Sequence, residues 1–184
     1  MNKYFKVLID PGHGGQNYGA IENNSGLIAI EKDINFAISS IINSLLENDM
    51  NILCRLTRYD DYNLSLVERV KESEYHDCMV SIHCNAFYQS NVNGVEIFHN
   101  GETKSILLAD KIIDSYCKAF KDMKNRGSKE NRSLYIVRKA MCPAVIFECG
   151  FLTNTKDFRI LINPSNQIEM AIAIVKGIKK YFGV

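Results

Sequence analysis

Short apolar runs alternate along this chain with longer segments in which apolar residues recur at helical spacing, and this alternation constrains the fold most strongly. Strands are predicted over residues 4–10, 51–58, 78–83, 94–99, 134–137 and 144–148. Helices are predicted over residues 31–47, 64–74, 104–120 and 166–181. Such alternation favours an α/β fold with a mainly parallel, twisted sheet and helices on both faces. The glycine- and asparagine-rich residues 11–29 are predicted to form a long loop.

The length and charge of the chain restrict its domain organisation and its partners. With 46% hydrophobic residues, the 184 residues (1–184) fit one domain with a sizeable core. The formal net charge of +1 gives no electrostatic reason to expect a nucleic-acid partner. No apolar run is long enough for membrane insertion, and the N-terminus lacks the features of a secretory signal peptide. We therefore expect synthesis in the cytoplasm.

The cysteines do not have the spacing of a metal cluster. No two of them form a C-x-x-C motif, so a cysteine zinc site is not expected. Most lie within apolar runs, where a free thiol behaves as a small buried hydrophobe. We expect all of them to be reduced, as in a protein made in a reducing compartment. The six are Cys54, Cys78, Cys84, Cys117, Cys142 and Cys149.

Polar residues with catalytic chemistry follow three of the predicted strands. His13 comes shortly after the first strand, His83 ends the third, and Glu148 ends the strand that starts at Ala144. In open α/β sheets, ligands bind outside the carboxyl ends of the strands. Glu31 begins the helix after the first strand, so it is expected at the same edge. Two histidines and one carboxylate are a frequent ligand set for catalytic zinc, and a second carboxylate can act as a general base.

Each of these four residues also has a purely structural explanation. His13 lies between glycines and could be a polar turn residue, and His83 could be a hydrogen-bonded core histidine. Glu31 could be a first-turn carboxylate that the helix dipole favours. Glu148 is harder to explain in this way, because a carboxylate after the apolar run 145–147 is costly to bury without a partner. The pattern alone leaves open which carboxylate would be a ligand and which the base.

Other candidates are weaker. The glycine-rich segment 12–15 lacks the Gly-Lys-Ser/Thr ending of a P-loop, and Asn17 replaces the third glycine of a dinucleotide-binding fingerprint. Cys84 follows a candidate histidine, but adjacent strand residues point to opposite faces, which argues against a cysteine nucleophile there. His76 and His99 are predicted to be surface residues.

Four motifs occur in a fixed order along nearly the whole chain. The motifs are Asp10-Pro11-Gly12-His13-Gly14-Gly15, Glu31-Lys32-Asp33, Ser81-Ile82-His83-Cys84-Asn85-Ala86 and Glu148-Cys149-Gly150-Phe151-Leu152-Thr153-Asn154. Together they resemble the zinc-dependent N-acetylmuramoyl-L-alanine amidases of the amidase-3 type, a family of autolysins, sporulation lysins and phage endolysins. Each motif alone would be weak, but the set is specific.

The resemblance implies an activity and a site. It implies one Zn²⁺ per chain, bound by the residues that match the family's ligands (His13, Glu31 and His83), with Glu148 as the catalytic carboxylate. The implied reaction is hydrolysis of the amide between the lactyl group of N-acetylmuramic acid and L-alanine of the peptidoglycan stem peptide. Asn85 and Lys129 are expected to contact this substrate.

The alternative is a non-catalytic peptidoglycan-binding module on the same fold. Such a module would be expected to lose a ligand or the catalytic carboxylate, whereas this chain retains all four residues. A cytoplasmic endolysin or autolysin would act on the cell wall only after release. The sequence leaves open whether a phage or a bacterium encodes the chain, and it leaves the oligomeric state open.

Overall fold

The computed structural model describes residues 4–184, so the first residues of the N-terminus (Met1, Asn2 and Lys3) lie outside the described residues. The strands are β1 (Phe5–Pro11), β2 (Ile21–Asn24), β3 (Leu27–Ile30), β4 (Ile52–Leu56), β5 (Cys78–Asn85), β6 (Val95–His99), β7 (Asn125–Glu130) and β8 (Ala144–Phe151). The α-helices are α1 (Glu31–Leu46), α2 (Leu66–Glu72), α3 (Thr103–Ala119), α4 (Tyr135–Lys139), α5 (Thr155–Leu161) and α6 (Pro164–Phe182). A single 3₁₀ turn, Ser73–Tyr75, follows α2.

Six strands form one central sheet in the order β4-β1-β5-β8-β6-β7. All neighbouring pairs are parallel except β8 and β6, which are antiparallel. The prediction of a mainly parallel sheet is therefore confirmed, with one reversal. Because β6 runs against β8, the first residues of β6 lie at the same sheet edge as the last residues of β1, β5 and β8.

Helices cover both faces of the sheet, as predicted. Helices α1, α3 and α6 pack on the face that carries the larger apolar core, which includes Ile9, Ile82 and Phe147. On the other face, α2 and α4 cover a smaller cluster around Met79 and Ile146. Because side chains alternate between the two faces, Asp10, His83 and Glu148 lie on this second face, toward the carboxyl ends of β1, β5 and β8.

The prediction of one long loop over residues 11–29 is wrong for its second half, because β2 and β3 form an antiparallel hairpin there that extends to Ile30. Asn24 pairs with Leu27, which leaves a two-residue turn. Ser25 and Gly26 have φ angles of 54° and 86°, as a type I′ turn requires. The hairpin returns the chain to the start of α1 and thereby brings Ala20 next to Glu31.

The strand predicted over residues 134–137 is also wrong, since this segment begins the short helix α4. Arg138 N donates to Leu134 O at 3.1 Å, which is a helical hydrogen bond. Ile136 and Val137 are consecutive and both buried, whereas neighbouring strand residues would face opposite sides. The β-branched pair raised the strand propensity, and packing on the sheet overrides it. No helix within residues 4–184 is long and apolar enough to cross a membrane.

Candidate metal centre and active site

His13 lies in the loop after β1 and adopts a conformation that is rare for a residue with a side chain. Its φ angle is 62°, in the left-handed region. Paired hydrogen bonds between Gly14 and Asn17 close the loop, with N···O distances of 2.9 and 3.0 Å. The Asn17 side-chain oxygen lies 2.9 Å from His13 Nδ1, which leaves Nε2 directed at the neighbouring carboxylate.

A buried ion pair supports this loop from below. Asp10 accepts hydrogen bonds of 2.6 Å from Arg69 Nη1, Thr57 Oγ1 and Ser81 Oγ. Burial disfavours ionisation of Asp10, but the Arg69 charge and the two hydroxyls outweigh it, and the pKa of Asp10 is lowered. Arg69 Nη2 also donates to the carbonyl oxygen of His13 at 2.6 Å. The guanidinium therefore links the sheet to the strained residue.

A second buried arginine holds the same loop without a carboxylate partner. Arg58 is only 1% exposed. Its donors reach backbone carbonyls, with distances of 3.2 Å to Pro11 O, 3.4 Å to Gly12 O and 3.0 Å to Lys32 O. Its guanidinium also stacks on the Phe36 ring, 4.8 Å from the centroid. Arg58 thus joins the loop after β1 to the first turn of α1.

Glu31, the first residue of α1, lies between the two candidate histidines. Its Oε1 is 3.1 Å from His13 Nε2 and 3.0 Å from His83 Nδ1, and its Oε2 accepts from Ala20 N at 2.8 Å. Burial opposes the charge, but hydrogen bonds from the two imidazoles outweigh it and hold the pKa of Glu31 well below its ordinary value. Glu31 is therefore an ionised, fixed carboxylate.

His83, at the end of β5, completes a group of three potential metal ligands. The candidate donor atoms of His13, Glu31 and His83 all lie within 4.8 Å of one another. Gly12 is required beside them, because a Cβ there would lie 2.3 Å from His83 Cε1. Two imidazole nitrogens and one carboxylate oxygen around a common point fit a zinc ion with a fourth position open.

Glu148 lies next to this group on β8. It is in register with His83 on one neighbouring strand and with Glu96 on the other, so the three side chains share one face of the sheet. Its Oε2 is buried and has no hydrogen-bond partner among the described residues. Burial, opposed by His83 and reinforced by the Glu31 and Glu96 charges, raises the pKa of Glu148 to about 7.

Glu96 is a buried charged residue that the sequence reasoning missed. It accepts hydrogen bonds from Asn85 Nδ2 at 2.7 Å and Arg126 Nε at 2.9 Å, and it forms an ion pair with Lys129. Burial opposes the charge of Glu96, but Lys129 and Arg126 outweigh it and lower its pKa. A glutamate inside the apolar run 95–98 was the available signal. Both residues predicted to contact substrate therefore bind Glu96.

A cavity of about 210 Å³ opens beside the two imidazoles. Its walls include the segment that leads into α2, with Asn63 and Leu64, and Ile136 of α4. The cavity therefore gives access to both imidazoles past the side chains of Leu64 and Ile136.

The remaining candidates lie away from this chemistry. Cys84 is buried on the opposite side of β5, and burial raises the pKa of its thiol well above the ordinary value, which does not suit a nucleophile. His99 is 6% exposed, so its prediction as a surface residue is wrong. It accepts a hydrogen bond from Gly101 N at 3.0 Å. His76 is partly exposed.

An α/β sheet that gathers two imidazoles and two carboxylates at one edge forms a potential metal site of a kind that suits hydrolysis. Residues 7–180 match the family described as "N-acetylmuramoyl-L-alanine amidase". The chain belongs to this family of amidases, which act on the peptidoglycan of the cell wall.

Known relatives agree with this assignment. The chain is 37% identical over 183 residues to the uncharacterised YqiI of Bacillus subtilis (strain 168), covering 96% of this chain and 84% of YqiI. It is 30% identical to the probable cell wall amidase LytH of Staphylococcus aureus, covering 96% of this chain but 58% of LytH. The crystal structure of an N-acetylmuramoyl-L-alanine amidase from Clostridium difficile 630 superimposes with a TM-score of 0.92 at 32% identity, covering 100% and 98% of the two chains.

Proposed function

We propose that this amidase is zinc-dependent, that His13, Glu31 and His83 hold one Zn²⁺, and that Glu148 is the general base and acid. The observation that carries the proposal is the buried Glu148 Oε2, which has no hydrogen-bond partner among the described residues and lies beside the three candidate ligands. An unpaired buried carboxylate destabilises a fold. Its place beside the three candidate ligands, in register with His83, favours a chemical role over a structural one.

The division of labour follows from the charges of the two carboxylates. In the metal-free protein, Glu31 is held ionised by its imidazole contacts, which suits a ligand. The pKa of Glu148 is raised to about 7 in the same metal-free state, which suits a group that accepts and releases a proton near neutrality. When bound, zinc supplies Lewis-acid polarisation of an amide carbonyl and makes water acidic enough to ionise near neutral pH.

Glu148 then has two tasks. Its Oε2 takes a proton from the attacking water as the water oxygen bonds to the amide carbon. As the carbon–nitrogen bond breaks, the same oxygen returns the proton to the leaving amine. The products are a lactyl carboxylic acid on the sugar and a peptide with a free L-alanine amino group. Asn85 and Lys129 contact the substrate in this proposal, Asn85 from the end of β5 and Lys129 from β7, with both side chains on Glu96.

Purified cell wall provides the test. The zinc-loaded protein should release peptides with a new N-terminal alanine, identified by mass spectrometry, and a chelator should abolish release until zinc is returned. Release that continues in a metal-free preparation would contradict zinc dependence. Binding to the wall without any cleavage would instead favour the non-catalytic module. The endolysin or autolysin role and the cytoplasmic synthesis stay predictions.

A further inference from the structure

Arg126 and Lys129 form a cationic pair that no step of the proposed chemistry uses. Both contact the same carboxylate, Glu96, which therefore neutralises only one of two positive charges. The exposed fraction of each side chain shows whether a ligand in solvent can contact it. Glu96 is 6% exposed, whereas Arg126 and Lys129 are 25% and 38% exposed. The anchor is therefore buried while both cations reach solvent.

The local backbone directs Arg126 toward this anchor. Strand β7 contains an irregularity opposite Glu96, where the partners of β6 jump from Asn125 to Ser128. Such a bulge re-aims a side chain. The Arg126 guanidinium also lies over the Phe151 ring, 5.0 Å from its centroid, which fixes its plane. A preorganised guanidinium loses little conformational entropy when it binds a carboxylate.

The position of the pair relative to the metal centre sets the part of a substrate it can meet. Lys129 Nζ contacts Glu96 on β6, and β6 is two strands away from His83 on β5. At about 4.8 Å per strand, the cations lie roughly 10 Å from the metal ligands. Neighbouring Cα atoms in an extended peptide are about 3.8 Å apart, so a group at this distance from the metal ligands faces the second residue after the scissile amide.

We propose that Arg126 and Lys129, held in place by Glu96, form a subsite for a free carboxylate on the second residue of the stem peptide. The inference rests on the proposed amidase function and adds a specificity determinant to it. The nearby exposed carboxylate Glu130 does not compete, because it pairs with Arg132 at 2.8 Å. Glu148, which is in register with Glu96, forms no ion pair with either cation among the described residues, so one positive charge of the pair is available to an acidic peptide.

Two synthetic muramoyl tripeptides test the subsite. They differ only at the D-glutamyl second residue, whose α-carboxyl is free in one and amidated in the other. Charge-assisted hydrogen bonds at partly exposed groups predict that kcat/KM for the free acid is about 10-fold higher. In Arg126→Met and Lys129→Met this ratio should fall toward one. The matched control is Lys121→Met, an exposed cation outside the cluster, which should keep the wild-type ratio.

The outcomes separate the two proposals. If the wild-type protein cleaves both tripeptides with equal kcat/KM, the carboxylate subsite is wrong while the amidase function stands. A preference that survives in both methionine variants also overturns the subsite. If neither tripeptide is cleaved at the muramoyl–alanine bond, the proposed function fails and the subsite fails with it. Melting temperatures measured on the same preparations identify any variant that has lost its fold, and Lys129→Gln then replaces Lys129→Met.

Discussion

Replacing Glu148 by glutamine should remove turnover and at the same time stabilise the metal-free protein. Glutamine has the same shape, and no hydrogen bond from the described residues to Oε2 is lost because none exists. Burial raises the pKa of Glu148 to about 7, so ionisation above pH 7 opposes folding. When Glu148 is ionised, the raised pKa corresponds to a decrease of at most about 3 kcal/mol in the free energy of unfolding. Partial exposure of the side chain reduces this to about 1–3 kcal/mol.

The pH dependence gives the sign of this effect. An acid whose pKa is raised on folding favours the folded state only while it is protonated, so its contribution is complete below the ordinary glutamate pKa and is lost as pH rises through 7. Metal-free Glu148→Gln should therefore match the wild-type protein at pH 4 and melt higher at pH 8. For a chain of this size the expected gain in Tm is roughly 2–10 °C.

Three measurements on one preparation decide the case: the zinc content, the melting temperature at the two pH values and the rate of amide cleavage. Zinc should remain bound, and kcat should fall by about 10²–10⁴-fold, the usual contribution of general acid–base catalysis. Glu169→Gln, at an exposed position, is the control and should change none of the three. A variant at Glu148 that loses zinc would make this residue a ligand. A variant that melts lower at pH 8 but turns over normally would show instead that Glu148 is a structural carboxylate, and it would refute the proton-transfer role.

Further predictions concern the support of the site. Arg69→Met should lower the free energy of unfolding by about 3–5 kcal/mol in urea titrations, because it leaves Asp10 buried without its cation. The control, Lys179→Met, breaks a similarly short but more exposed pair and should lower the free energy of unfolding by about 1 kcal/mol or less. Equal losses in the two variants would contradict the stronger role of the buried pair. Gly12→Ala should displace the His83 ring and lower zinc affinity at least about 10-fold in chelator competition, and unchanged affinity would show that the loop adapts. Thiol titration should find six free cysteines after denaturation but slow reaction in the native protein, where burial raises every thiol pKa; reproducible disulfides would argue against this.

Periodicity in the sequence predicts those strands and helices in which the apolar residues are also the buried residues. The central strands β1, β5 and β8 and the helices α1, α3 and α6 are of this kind. Strand β7 was missed because Asn125–Glu130 contains no apolar side chain: it is an edge strand, and backbone pairing with β6 defines it. The hairpin within residues 11–29 was missed although Ser25-Gly26 is an available two-residue turn signal.

The candidate site was more predictable than the fold around it, because topology places strand ends together whatever the packing. His13, Glu31, His83 and Glu148 are brought to one edge as expected. The arginine support was not foreseeable in the same way. The donors of Arg58 go to backbone carbonyls, and such bonds leave no residue pattern in the sequence.

The single strand reversal in the sheet explains why recognition and chemistry can share one edge. If β6 ran parallel to β8, Glu96, the second residue of β6, would lie at the opposite edge from Glu148. Because β6 is reversed, its first residues meet the carboxyl ends of β5 and β8, and β7 follows it in parallel. In the proposed site, this edge carries the candidate ligand His83 on β5, the proposed proton carrier Glu148 on β8 and the two cations of β7 beyond β6. Neighbouring strands are about 4.8 Å apart, so an extended peptide lying across the strands would meet these groups in order.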